Sequence, residues 1–161
     1  MNNPLPDRVV RALIVRGETV GMAESLTGGL VCAALTDISG ASATVRGGIV
    51  AYATDVKADV LGVDAQVLRD GGAVQAQVAE QLAQGVRRVL ACDWGLATTG
   101  VAGPTPQDGQ PVGRVFIAVA GPQEMTVRAL DLTGDRAEIR EAAVEAVLNL
   151  LADKLGTESI R

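Results

Sequence analysis

The chain has 161 residues, the size of one ordinary domain, and is 48% hydrophobic but only 2% aromatic, so its core must be assembled from Ala, Val, Leu and Ile. A formal net charge of -5 with no basic run argues against a surface built to neutralise nucleic-acid phosphates, and the absence of histidine removes histidine-based acid–base chemistry and argues against a catalytic zinc site. Every apolar run is broken by charge or glycine before it reaches membrane-spanning length, and the opening MNNPLPDRVV has neither region of a signal peptide; a cytoplasmic protein with no membrane or nucleic-acid partner is expected.

Residues 5–16 place Leu5, Val9, Ala12 and Leu13 at helical spacing, with Asp7 near the amino-terminal end, and predict a first helix. ETVGMAES then reads as a short buried strand running into a glycine turn, from which LVCAALTDI continues as a helix. RGGIVAYAT is β-branched and bounded by glycine, and DVKADVLGV follows as a short helix with Asp55 at its start and Gly62 near its end. DAQVLRDGG supplies a further helical turn or two. AVQAQVAEQLAQGVRRVLA is the strongest helical pattern in the chain despite Gly85. WGLATTG, VGRVFIAVA and EMTVRALDL are three strand candidates, and a long amphipathic helix from about Asp135 to Leu155 closes the chain. Alternating helices and strands predict one layered α/β domain, and the short connector GPQ between the last two strands predicts an antiparallel hairpin, hence a mixed sheet.

Small polar residues and glycines gather in AESLTGG, SGASATVRGG, YATDVK, TTGVAGPTPQDGQPVG and LTGDR, and strand-end loops of α/β sheets are where ligands bind. Ser25 reads either as a turn or helix-cap residue or as a nucleophile, and the second reading needs a base that is not histidine. Of 14 basic residues 12 are arginine, leaving Lys57 and Lys154. Lysine can be tuned towards neutrality whereas arginine stays protonated, so Lys57 is the candidate base; a solvated helix residue is the alternative, which suits Lys154 better. Tyr52, five residues earlier, and Ser42, ahead of the same strand, carry hydroxyls able to orient the lysine or relay a proton; equally, they read as a core aromatic and a turn residue. Thr98, Thr99, Gly100 and Gly103 follow a strand and offer backbone amides to a phosphate or an oxyanion. Thr27, Gly28 and Gly29 do the same behind Ser25. Arg136, beside the possible cap Asp135, is the candidate anion contact. Cys32 and Cys92, 60 positions apart, match no metal or redox spacing and read as small hydrophobes.

The blocks from AESLTGG to VKADVLGV, with TTGVAGP, PVGRVFIAVA and LTGDR, resemble in order the CinA carboxy-terminal domain family, whose members include nicotinamide mononucleotide deamidases. The likeness runs from about Asp7 to Leu155. It implies a three-layer α/β/α fold with a mixed sheet and a homo-oligomer, often a dimer. It further implies a cofactor-free amidohydrolase acting on a small nucleotide, with Ser25 as nucleophile, Lys57 as base, and Tyr52 and Ser42 assisting. Some family members carry an additional amino-terminal domain resembling molybdopterin-binding proteins, so this chain is expected to be a stand-alone form. It departs from the family at Ala53 and Gln75, where serine is frequent. The competing expectations are a nucleotide-binding module without catalysis, in which Ser25 caps a helix, and a competence-related accessory protein.

Overall fold

The structure, a computed structural model, describes residues 4–157. Helix α1 (Leu5–Arg16) carries Pro6 in its first turn, where a missing N–H is harmless, and stops at Gly17, whose left-handed backbone returns its amide to the Ile14 carbonyl. The order continues β1 (Val20–Glu24), α2 (Leu30–Thr36), a 3-10 turn (Ala41–Ala43), β2 (Val45–Val50), α3 (Thr54–Leu61), α4 (Ala65–Gly71) and α5 (Ala76–Leu90). It ends with β3 (Trp94–Gly100), β4 (Arg114–Ala120), β5 (Met125–Asp131) and α6 (Arg136–Leu155). All the expected elements form. One cap differs: α3 is capped at Ala53, which has no side-chain oxygen to offer, while Asp55 lies in the first turn and accepts only from the amide of Val56.

The sheet order is β2-β1-β3-β4-β5, with β1 parallel to β2 and β3, and with β4 antiparallel to both β3 and β5. It is therefore mixed, and helices cover both faces. Alternation along each strand divides the core. Val20, Met22, Leu96 and Ile117 face α1, α2 and α6, whereas Ala23, Ala97, Ala118 and Ala120 face the side of α3, α4 and α5. The second set is small, and that lets α5 lie close to the sheet: a Cβ on Gly95 would stand 2.2 Å from the Ala83 carbonyl oxygen. Gly85, an unfavourable residue inside a helix, has the same explanation, because a Cβ there would stand 2.1 Å from the Leu61 carbonyl oxygen at the end of α3. Close contact between α3 and α5 fixes the helix that carries Lys57. No helix among the described residues is long and apolar enough to cross a membrane.

Candidate active site

Ser25 is the first residue beyond β1 and is 8% exposed. Its amide donates to the Thr98 carbonyl at 3.1 Å, prolonging the β1–β3 pairing by one residue, and its own carbonyl accepts from the amide of Gly28 at 3.1 Å. Gly28 and Gly29 have φ of 58° and 104°, a reversal that a side chain would strain, and it launches α2 back along the sheet. Three contacts hold this turn from beneath. The buried Glu24 carboxylate accepts from the amides of Val31 (2.9 Å) and Cys32 (3.0 Å), satisfying two donors at the start of α2. The hydroxyls of Thr27 and Thr98, both fully buried, pair at 2.8 Å. From α6, Arg140 Nε donates to the Leu26 carbonyl at 2.8 Å.

Lys57 enters from α3 and is 1% exposed, among the largest fully buried side chains in the protein. Its Nζ lies 3.1 Å from Ser25 Oγ, 2.7 Å from the Ala51 carbonyl and 3.1 Å from the Tyr52 carbonyl. Burial pushes the Lys57 ammonium from 10.5 down to about 8, with the negative charge of Asp108 working in the opposite direction. A neutral amine has two N–H donors and one lone pair. Two carbonyls match those donors, and the lone pair is left for the Ser25 hydroxyl.

A pocket of about 290 Å³ opens onto Ser25. Ala73 and Val74 form one wall and Thr99 to Gly103 another, while Thr105 to Gln107 overhang it and Tyr52 and Arg136 stand at the remaining side. Lys57 is not in its lining, so the serine is the first of the pair that a bound molecule meets. Arg136 Nη1 donates to the Gly103 carbonyl at 2.6 Å and Nη2 to the Tyr52 hydroxyl at 3.1 Å. Leu26, Ala102 and Gly103 belong to the same lining, and among the described residues their amides make no hydrogen bond within the chain.

Of the residues singled out from sequence, Ser25, Lys57, Tyr52, Thr99, Gly100, Gly103 and Arg136 converge here. Several of the singled-out residues differ from expectation in contact or position. Tyr52 is 61% exposed, and its main-chain carbonyl, not its hydroxyl, meets Lys57. Thr27 is buried under the turn, and the Thr99 hydroxyl is engaged by the Ala73 carbonyl at 2.8 Å, so each shapes the pocket from behind. Ser42 lies elsewhere: it occupies the 3-10 turn at the start of β2, whereas Tyr52 follows the end of that strand. Six strand residues at about 3.3 Å each put roughly 20 Å between the two ends. Within one chain Ser42 therefore stands clear of the Ser25–Lys57 pair, in a cleft with Cys32 and Arg46. Cys92 is buried and Cys32 half-buried, both as free thiols, and Lys154 pairs with Glu124 at 3.3 Å. Sequence reading missed Ala51, Ala73, Asp108 and Arg140, of which only Asp108 stood in one of the loop blocks with a visible signal, and Thr98, singled out for its amide, contributes its carbonyl and hydroxyl instead.

The family model described as the CinA C-terminal domain matches residues 2–155. A CinA-like protein of Frankia casuarinae is 51% identical over 143 residues, which cover 89% of this chain and 33% of that protein. A second, from Anaeromyxobacter dehalogenans, is 48% identical over 150 residues, or 91% of this chain and 36% of the relative. The chain thus spans about a third of the length of these curated relatives. The crystal structure of a competence-damaged protein (CinA) superfamily protein from Klebsiella pneumoniae superimposes with a TM-score of 0.91 at 32% identity, covering 96% of this chain and 97% of that one. A competence/damage inducible protein from Agrobacterium tumefaciens gives 0.87 at 35% identity, covering 97% and 98%.

Proposed function

The chain belongs to the CinA C-terminal domain family, and on that premise we propose that it hydrolyses the carboxamide of nicotinamide mononucleotide to nicotinate mononucleotide and ammonia. The observation that carries this reading is the buried Lys57 amine, 3.1 Å from the Ser25 hydroxyl and with its proton affinity lowered by burial from 10.5 to about 8. A serine hydroxyl is a poor nucleophile unless a neighbour takes its proton. Lys57 takes it as Ser25 Oγ bonds to the amide carbon, and returns it to nitrogen as the C–N bond breaks and ammonia leaves. A water molecule then attacks the Ser25 ester, giving one proton to Lys57, which passes it to Ser25 Oγ as the C–O bond breaks; the acid so released ionises to the carboxylate and loses its proton to solvent. No redox partner or metal enters this balance. The developing oxyanion is met by the unengaged amides of the pocket lining, those of Leu26, Ala102 and Gly103.

Arg136 supplies the cationic group at the pocket's rim and suits an anionic substrate such as a phosphate monoester. The experiment is ammonia release from nicotinamide mononucleotide by the wild type and by Ser25→Ala, with circular dichroism to check the fold. Turnover by the wild type and a loss of roughly 10³-fold or more in the variant are expected. A folded Ser25→Ala protein with near-normal turnover overturns the covalent route, and an inert wild type leaves a nucleotide-binding module as the reading.

A further inference from the structure

Between β3 and β4 the chain makes an excursion from Val101 to Gly113 whose outermost part is a miniature hairpin. Gln107 and Gln110 exchange both backbone hydrogen bonds, at 3.2 and 2.8 Å, and the residues between them, Asp108 and Gly109, have φ of 52° and 74°. Positive φ at both central positions is what a two-residue hairpin turn of the primed type requires, and Asp-Gly is a favoured pair for it. Such a hairpin of two short arms is not stable by itself. Its position depends on what its tip touches.

The tip touches the connection between α4 and α5. Asp108 Oδ2 accepts from the amide of Ala73 at 3.0 Å, and a Cβ on Gly72 would stand 2.6 Å from the Asp108 Cβ and Cγ, so only glycine leaves room for this approach. The Ala73 peptide is held on its other side as well, since its carbonyl accepts from the Thr99 hydroxyl. Ala73 on one side and Gln107 on the other are both walls of the Ser25 pocket. The contact between Asp108 and Ala73 is therefore the seam where two walls, contributed by segments 35 residues apart in sequence, meet.

We propose that Asp108 is a positioning residue of this site, clasping the Gln107–Gln110 hairpin to Ala73 as the closing wall of the substrate pocket. The same carboxylate is the charged group that acts on Lys57. Around that amine stand the Ser25 hydroxyl at the end of β1 and the carbonyls of Ala51 and Tyr52 beyond β2. The Tyr52 hydroxyl and Arg136 of α6 are engaged with each other at the rim. One side chain thus couples closure of the pocket to the charge on the base, favouring the ammonium form of Lys57.

The kinetic arm of the test rests on the amidase reading; the second arm does not. Wild type, Asp108→Ala and Asp108→Asn are compared for ammonia release against substrate concentration and pH, and for amide hydrogen exchange in peptides spanning residues 71–75 and 105–110. Asp108→Ala raises KM by roughly 5-fold, the factor that one lost hydrogen bond carries, and speeds exchange in both peptides. Asp108→Asn keeps an oxygen for the Ala73 amide, so it restores KM and exchange. It still moves the acid limb of the rate to lower pH, because the negative charge that favoured protonated Lys57 is gone. Wild-type KM and exchange in Asp108→Ala, or failure of Asp108→Asn to rescue them, overturns the clasp. If the wild type releases no ammonia the amidase reading fails, and hydrogen exchange alone judges the clasp, with unchanged exchange in Asp108→Ala refuting it.

Discussion

A lysine buried to 1% exposure with its proton affinity lowered from 10.5 to about 8 leaves a signature in stability that needs no substrate. Below the folded value, Lys57 is protonated in both folded and unfolded chains, and the native state bears the full penalty of a buried ammonium. Between about 8 and 10.5 the unfolded chain binds the proton and the folded one does not, so folding becomes more favourable as pH rises. At about 1.4 kcal/mol per tenfold change in proton affinity, the gain across that window is about 3 kcal/mol. Lys57→Met removes the titrating group. It also leaves the carbonyls of Ala51 and Tyr52 without their donor, so its absolute stability mixes two effects, but only the wild type carries the pH-dependent one. The thiols of Cys32 and Cys92, which burial pushes up, titrate in the same region with the opposite sign and cancel in the comparison. Urea unfolding of both proteins at pH 7 and pH 10.5 is the assay. The wild type should gain about 3 kcal/mol relative to Lys57→Met between the two conditions. A difference between the proteins that does not change with pH refutes the depressed lysine, and with it the base assigned to Ser25.

Lys57→Arg keeps the positive charge but cannot supply a neutral amine, so turnover should collapse in a folded variant; a near-wild-type rate removes Lys57 from the role of base. For the wild type, turnover should fall as pH drops through about 8, because the protonated lysine cannot accept a proton, and a flat profile from pH 6 to 9 contradicts this. Ala53→Ser places a hydroxyl at the uncapped start of α3 and should raise unfolding stability by about 1 kcal/mol; an unchanged urea midpoint shows that the cap is not formed. Arg136→Ala should raise the KM for nicotinamide mononucleotide more than that for its dephosphorylated riboside, and equal effects on the two exclude a phosphate contact.

Most of the fold was legible because its signals are local. The β-branched runs and helical periodicities give the elements, Gly17 and Gly62 close α1 and α3 with left-handed caps, and GPQ is too short for anything but a hairpin between β4 and β5. What escaped depends on contacts between distant segments. Gly85 reads as a defect in a helix until Leu61 is seen against it. Gln75, where the resemblance suggests serine, holds the N-cap position of α5 but turns its side chain to the helix before: its Nε2 donates to the carbonyls of Val67 and Gly72 at the end of α4. Ser42 was grouped with Tyr52 because they flank the same strand, but a strand separates the residues at its two ends instead of joining them. Asp108 lies 51 positions from Lys57, and no pattern in PTPQDGQ says which segment its carboxylate will reach.

The convergence itself follows from strand direction. Because β2, β1 and β3 are parallel, their carboxyl ends emerge on one edge, bringing together Ala51 and Tyr52, Ser25, and Thr98 and Thr99. This is where an α/β sheet offers a crevice. The antiparallel step from β3 to β4 then turns the intervening loop over that same edge, which is how Gly103 and the Asp108 hairpin come to overhang the serine. Lys57 completes the set because α3 begins at the end of β2 and doubles back, presenting its first full turn to the carbonyls just left behind. Those carbonyls are the least substitutable part of the arrangement. Any residue at positions 51 and 52 supplies them, so the environment that holds the lysine amine is encoded by the path of the chain and leaves no signature in side chains. Lysine rather than arginine at position 57 is then the sequence mark of the proposed base, since on that reading the group beside Ser25 must be able to lose its proton and arginine cannot.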